Sequence, residues 1–235
     1  MIVEFIDLAF QKNITFVPLK KSKMKKHLIA GIVCLLFSSI SFSQTFEGVI
    51  EFRESRVTDT IDRVYYIKGD KVRLDEIGKK SKKVEGSFIV DLKTSSMISL
   101  SHDRKLYIEQ GSGTPAVMNG KAEITKTKNV KTIQGYKCSE YIVKNAEDNT
   151  QITYWIATGK FDFFLKLLKT LNRKDKSVVY FQQITGVEGM FPFLSLQVNL
   201  ETGKEEVKME VTKIQKKPLD ANLFEVPKDY QKFQK

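Results

Sequence analysis

Two side chains downstream of residue 43 could take part in nucleophilic chemistry: the single histidine there, His102, and the single cysteine, Cys138. Nucleophilic catalysis needs a base beside a serine or cysteine. His102 lies in the run SHDR between two predicted strands, where a turn histidine is the ordinary interpretation. Cys138 lies within a predicted strand, where a free cysteine most often behaves as a small buried apolar residue. The spacing does not support a pairing of the two, so we expect neither to be catalytic.

The sequence also contains no recognisable motif for metal binding, for acid–base catalysis or for phosphate binding. One histidine and one cysteine do not make a zinc site without several carboxylates. Adjacent acids such as Asp75 and Glu76 point to opposite faces of a strand, so they do not form a glycosidase pair by themselves. The glycines at 111 and 113 lack the third glycine and the following helix of a phosphate loop. We therefore expect no enzyme, no cofactor and no metal, with an enzyme of unrecognised type as a distant alternative.

Residues 24–43 have the pattern of an export signal. Lys25 and Lys26 precede an apolar run from Leu28 to Phe37, and Ser41 and Ser43 then form a small-x-small cleavage pattern. The run is too short to span a bilayer comfortably, since a membrane helix needs ~20 apolar residues. The pattern predicts cleavage before Gln44 and a mature protein without a transmembrane segment. We expect it in the periplasm or at the surface of a Gram-negative bacterium.

The segment before this signal, residues 1–23, does not fit an export leader. Glu4 and Asp7 lie where a signal peptide carries a basic head. We interpret residues 1–23 as an upstream extension from an early start, with Met24 as the true initiator; a separate N-terminal element is the alternative. Cys34 follows Val33, which is not small, so we expect no lipid-modified cysteine.

Length and charge limit the number of domains and the kinds of partner that residues 44–235 can have. Residues 44–235 suit a single domain. The leader contains six lysines and two acidic residues, so its removal lowers the formal net charge from +11 to +7. Basic and acidic residues alternate, as in 204–210, which is typical of a solvated strand face and not of a nucleic-acid groove. A mild attraction to anionic lipid surfaces is compatible with this charge.

Short alternating apolar runs, separated by turn residues, predict an antiparallel sheet in this domain. The pair Gly69 and Asp70 suits a two-residue hairpin turn. A polar loop around 111–115 interrupts the series. The predicted strands lie at 46–53, 64–67, 72–74, 87–91, 97–100, 105–109, 136–143, 151–156, 194–200 and 207–211.

One segment, residues 160–172, has the period of a helix, with Thr158 or Gly159 at its start. Its phenylalanines and leucines cover an arc of roughly 200° on a helical wheel. A helix that lies on one sheet needs an apolar stripe of only about 100°. The excess indicates a helix that is wedged between surfaces, touches lipid or lines an apolar cavity. A deeply buried core helix is the ordinary alternative.

Several short motifs resemble one family of exported bacterial proteins. Residues 131–138, KTIQGYKC, are similar to the "TI-x-GY-x-C" signature of domain of unknown function 4412. Residues 223–230, LFEVPKDY, are similar to its "F-x-VP-x-x-Y" ending, and 46–48, 69–73, 153–156 and 211–214 also fit. The resemblance implies a fold similar to the periplasmic lipoprotein carriers (LolA/LppX-like). That is an α+β fold, a single strongly curved antiparallel sheet like an unclosed barrel, with one or two helices across its concave face.

Those carriers hold acyl chains in the concavity, and the over-wide helix at 160–172 would lie over it. We therefore expect residues 44–235 to be a single carrier-like domain that binds a lipid or acyl chain between sheet and helix. The alternative is a structural or interaction protein of the cell envelope, with a filled core and an envelope protein as partner. The predicted cavity lining consists of Phe161, Phe164, Leu165, Leu168, Phe191 and Phe193.

Overall fold

The computed structural model describes residues 45–111 and 117–234. The predicted signal peptide, the predicted N-terminus at Gln44, the extension at 1–23 and most of the polar loop at 111–115 lie outside the described residues. Within the described ranges no helix is long and apolar enough to cross a membrane.

A single twelve-stranded sheet makes up most of the described chain. All neighbouring strands are antiparallel except β12 and β6, which are parallel. The strands are β1 Gly48–Arg56, β2 Thr60–Lys68, β3 Lys71–Ile77, β4 Val84–Asp91, β5 Ser96–Ser101, β6 Leu106–Gln110, β7 Glu123–Ile133, β8 Tyr136–Asn145, β9 Thr150–Thr158, β10 Met190–Asn199, β11 Glu205–Lys216 and β12 Gln231–Lys232.

The order of strands across the sheet is β12-β6-β5-β4-β3-β2-β1-β11-β10-β9-β8-β7, so the sheet is open, with β12 and β7 at its edges. Strand β1 pairs with β2 on one side and with β11 on the other, which joins the first and last long strands of the chain. Helices occupy the connection between β9 and β10. The predicted α+β fold, an unclosed antiparallel sheet with one or two helices, is confirmed.

Two helices and one short 3-10 helix complete the fold. Helix α1 spans Phe163–Leu171, helix α2 spans Lys176–Phe181, and the 3-10 helix spans Ala221–Phe224. The sequence predicts most of the strands, but not β7, the short β12 or helix α2. Strand β7 is mostly exposed and rich in lysine and threonine, so it shows no apolar alternation.

The predicted start of the long helix is wrong by several residues. Lys160 has a φ of +62°, and its carbonyl accepts a hydrogen bond from the Phe46 backbone N–H at 3.0 Å. The Phe161 N–H donates to the Gly189 carbonyl at 3.0 Å. These two residues are therefore tied to neighbouring chain segments, and α1 begins only at Phe163. Asn172 ends the helix in the left-handed conformation.

Apolar side chains form a separate cluster on each face of the sheet. The larger cluster lies between the sheet and helices α1 and α2, and contains Phe52, Tyr65 and Phe164. The smaller cluster lies on the other face, where residues 217–230, the C-terminal strap, cross from β11 to β6. Leu219 and Phe224 of the strap are buried there.

Candidate functional site

Helix α1 and strand β10 provide the aromatic side of a small gap between the helices and the sheet. Phe164 and Leu168 are one turn apart on α1, so they share a face of the helix. The Phe164 ring contacts that of Phe191 on β10 at a centroid distance of 4.5 Å, and that of Phe181 on α2 at 5.2 Å. Both contacts are edge-on, the geometry that aromatic rings favour.

Strands β1 and β2 provide the facing wall. Phe52 and Tyr65 have their ring centroids 4.6 Å apart, and both are buried. A gap of about 50 Å³, which we call the inner cavity, remains between these strands and the helices. Its lining consists of Phe52, Tyr65, Tyr154, Phe164, Leu168, Ser177, Val178, Phe181, Phe191, Pro192, Met209 and Val211.

Polar anchors hold helix α2 against this gap. The Tyr154 hydroxyl donates to the Ser177 carbonyl at 2.7 Å, and burial raises the pKa of Tyr154 well above its ordinary value. The Tyr180 hydroxyl donates to Asp148 at 2.6 Å, and Lys176 donates to the Thr150 hydroxyl at 2.7 Å. Burial, followed by the Asp148 carboxylate, raises the pKa of Tyr180 far above neutral pH, so its hydroxyl stays protonated. The helix is thus tied to the turn between β8 and β9.

A second gap of about 50 Å³, which we call the mouth, adjoins the first. The two gaps have Phe52, Tyr65, Leu168, Ser177, Val178 and Met209 in common. The mouth differs in its charged lining, which consists of Glu54, Arg63, Arg173 and Asp175. The two adjoining gaps therefore differ in that only the mouth has charged side chains in its lining.

Ion pairs connect the charged side chains around the mouth. Arg63, 8% exposed, contacts Glu54 at 2.5 Å and Glu76 at 3.1 Å. Burial opposes the charge on Arg63, but the two carboxylates outweigh that effect and its pKa is raised. Arg56 on β1 contacts Glu54 at 2.5 Å and Asp175, in the α1–α2 loop, at 3.2 Å. The ion pair between Arg56 and Asp175 therefore connects the α1–α2 loop to strand β1.

The six residues predicted from the sequence as cavity lining divide into two groups. Phe164, Leu168 and Phe191 lie on the wall of the inner cavity. Phe161 and Phe193 are fully buried in the aromatic cluster, where the Tyr136 ring lies 5.9 and 4.7 Å from theirs. Leu165 is half-buried and packs against the larger apolar cluster, which includes both the cavity walls and these buried rings. The role of all six as ligand contacts stays a prediction.

The mouth was missed by sequence reasoning, as was the strand side of the cavity. Phe52, Tyr65 and Met209 are ordinary apolar positions of alternating strands, and nothing in their local pattern distinguishes a cavity wall from packed core. Arg63 is more informative. A charged residue at an inward position of an apolar strand needs a partner, which could have indicated buried ion pairs.

His102 lies in the turn between β5 and β6, as the sequence predicted, and it has hydrogen-bond partners that its spacing did not reveal. Its Nε2 lies 2.7 Å from the Ser87 hydroxyl, which also donates to Asp75 at 2.5 Å. Its Nδ1 lies 2.7 Å from the Tyr230 hydroxyl on the strap. Ser87 is 0% exposed, so a substrate has no access to it.

Cys138 is buried, as the sequence predicted, and desolvation raises the pKa of its thiol. A raised thiol pKa disfavours the thiolate, which is the reactive form. In the part of the chain that the structure describes, no group of three or more histidine, cysteine, aspartate or glutamate residues could hold a metal ion.

Comparisons with known proteins identify a family and a fold. The model of a family described as "domain of unknown function (DUF4412)" matches residues 46–230. No curated protein matches the sequence. Among solved structures, an uncharacterized conserved protein from Thermus thermophilus is similar, with a TM-score of 0.50 and 9% identity over 80% of this chain and 89% of that one.

Two further structures are more distant. The Pseudomonas aeruginosa MucA/MucB complex gives a TM-score of 0.45 at 10% identity, over 80% of this chain and 57% of that one. A LolA superfamily protein from Nitrosomonas europaea gives 0.33 at 11% identity, over 77% and 90%. The Thermus protein shares the fold; the other two likenesses are too low to support an argument about function.

Proposed function

The chain belongs to the family of domain of unknown function 4412, and we propose that it is an exported, non-enzymatic protein that binds an apolar ligand such as a lipid or acyl chain. One observation carries this proposal. An apolar gap between the helices and the sheet adjoins a second gap, the mouth, whose lining includes charged side chains. Binding sites for apolar molecules have this composition, with few polar groups at one end.

The ligand needs more room than the closed structure offers. Each gap measures about 50 Å³, whereas ligand pockets usually measure ~300–1,000 Å³. Binding must therefore move helices α1 and α2 away from the sheet. The contacts that would separate are the ring contact of Phe164 with Phe191 and the ion pair between Arg56 and Asp175. Leu168 would also move away from Phe52 and Tyr65, which line the same gap.

The ion pairs oppose this opening only weakly. Arg56 and Asp175 have side chains that are 44% and 39% exposed, and such pairs contribute about 0–1 kcal/mol. The apolar contacts of α1 make the larger contribution to the free energy that opposes the opening. An acyl chain that replaces those contacts keeps the same surfaces away from water, so the closed and ligand-bound states can be close in free energy.

Export is the second part of the proposal, and residues 24–43 support it. Their basic head, short apolar run and small-x-small cleavage pattern favour a mature protein in the periplasm or at the cell surface of a Gram-negative bacterium. Lipids and detached acyl chains are available there as ligands. An envelope protein that delivers or accepts the ligand is the partner that such a function requires.

A ligand-free envelope protein is the second candidate function, and a specific observation favours it. The aromatic residues behind the cavity leave no exposed surface, with Phe161 and Phe193 both 0% exposed. On this alternative the small gaps are packing imperfections, and the protein acts through its surface.

Mass spectrometry of an organic extract of the natively purified protein separates the two candidates. Carrier function predicts a defined lipid or fatty acid in near-stoichiometric amount. Its control is the same extract from a Val178→Phe variant, in which a larger side chain replaces a residue that lines both gaps. An extract with no more lipid than this control would contradict the carrier proposal.

A further inference from the structure

The charged side chains around the mouth differ in how close their nearest oppositely charged partner lies. Glu54 has two arginines within 2.5 Å, Glu76 has Arg63 at 3.1 Å, and Asp175 has Arg56 at 3.2 Å. Each carboxylate thus has a close cationic partner. These acids are consequently poor partners for a cation from outside.

Arg173 differs from the other arginines at the mouth. Of the carboxylates that the structure describes, the nearest is that of Glu76, whose Oε1 lies 4.0 Å from Arg173 Nη2, beyond hydrogen-bond length. The Arg173 side chain is 31% exposed, and its guanidinium carbon lies 5.6 Å from the centre of the Phe88 ring. It is the most weakly paired charge that lines the space.

The position of Arg173 gives that charge access to a ligand. Asn172, in the left-handed conformation, turns the chain at the end of α1, so Arg173 follows the helix that carries Leu168 and Leu171. Those leucines line the mouth together with Arg173. An apolar chain in the inner cavity would therefore have its outer end beside the guanidinium.

On the basis of the proposed function, we infer that the ligand is a single-chain amphiphile with an anionic head group, a fatty acid being the simplest, and that Arg173 binds the head group. A guanidinium presents paired N–H donors that match a carboxylate. A cationic head group would meet Arg173 and carboxylates that are already paired. A neutral lipid has no charged group that could pair with Arg173. The narrow space favours one chain over two.

Titration calorimetry with decanoate and decan-1-ol tests this inference, since the two ligands share a chain and differ in charge. At neutral pH we expect the wild type to bind decanoate about 10-fold more tightly, as expected for one charge-assisted hydrogen-bonded contact. R173Q is expected to bind both ligands with the affinity that the wild type has for decan-1-ol. K174Q is the matched control, because Lys174 is the exposed neighbouring cation in the same loop, and we expect it to keep the preference.

The outcomes separate this inference from the proposal on which it rests. Equal binding of both ligands by the wild type would overturn the head-group assignment and leave apolar binding intact. A preference for decanoate that survives in R173Q, or is lost in K174Q as well, would also overturn the role of Arg173. Failure of the wild type to bind either ligand would contradict the proposed function itself.

Discussion

The rings of Phe164 and Phe191 lie edge to face with their centroids 4.5 Å apart, and this contact joins helix α1 to strand β10 at the wall of the inner cavity. Phe161 also contacts Phe191, at 5.4 Å, but from within the packed cluster. Two aromatic residues of one segment thus have different surroundings. One borders an open space and the other does not.

This difference predicts different outcomes for two similar substitutions. Phe161→Ala removes a fully buried ring and should lower the free energy of unfolding by ~3–5 kcal/mol. Phe164→Ala removes a ring that already borders a cavity and should cost ~2–3 kcal/mol. Phe164→Ala should also bind more of an apolar fluorescent probe, because it enlarges the site. Urea unfolding and probe titration measure the two effects, and a larger gain in probe uptake for Phe161→Ala would contradict the assignment of the wall.

Asp175→Asn tests the ion pair that holds the α1–α2 loop on the sheet. Loss of the charge on this partly exposed residue should reduce stability by no more than about 1 kcal/mol. It should speed the association of decanoate, because the loop must move for the ligand to enter. Asp229→Asn is the matched control, since it removes an exposed ion pair between Asp229 on the strap and Lys105 before β6. Stopped-flow rates that rise equally in both variants would exclude a role of the loop.

The double variant His102→Ala, Cys138→Ser should bind ligand like the wild type. It should lose about 1–3 kcal/mol of stability, because removal of His102 leaves the Ser87 and Tyr230 hydroxyls without that partner. Tyr230→Phe, which breaks only the bond to the strap, should lose about 1 kcal/mol. If the double variant lost function while its unfolding curve stayed that of the wild type, a catalytic role for these residues would have to be reconsidered.

Asp91 gives the fold a defined dependence on acid. Its hydrogen bond from Lys71, together with the backbone N–H groups of Thr94 and Lys93, lowers its pKa to about 2. A lowered pKa contributes stability above the ordinary value near 4, and this stability is lost as the pH falls towards 2. Because Lys71 is half exposed, screening limits the contribution to about 1 kcal/mol. Asp91→Asn should be less stable than the wild type at neutral pH and equally stable near pH 2; a constant difference across that window would refute this account.

Most of the sheet was predictable from sequence because buried and exposed residues alternate along its strands. The two-residue turn at Gly69 and Asp70 was predicted correctly, and Lys68 pairs with Lys71 across it. Strand β7 escaped prediction because an edge strand with lysines has no buried face to reveal. Helix α2 escaped because six residues are too few for a helical period to be evident.

The candidate site was predictable in part. The apolar width of residues 160–172 indicated that α1 is covered on more than one side, and Phe164 and Leu168 do line the gap. The facing residues, Phe52 and Tyr65, come from strands far earlier in the chain, and their pairing depends on the tertiary fold. The weak pairing of Arg173 with the Glu76 carboxylate likewise depends on a distance in the folded chain that no sequence pattern encodes.

Binding of the apolar probe N-phenyl-1-naphthylamine to the wild type, Val178→Phe and Leu223→Phe tests the central claim most directly. Val178 lines both gaps, whereas the half-buried Leu223 of the C-terminal strap packs against the smaller cluster on the other face of the sheet and serves as a control for added ring volume. Circular dichroism verifies that each variant is folded. We predict saturable binding by the wild type and Leu223→Phe, and at least about 10-fold weaker binding by Val178→Phe, because its ring occupies the site. Equal binding by folded Val178→Phe and wild type, or no binding by the wild type, would contradict a ligand site between the helices and the sheet.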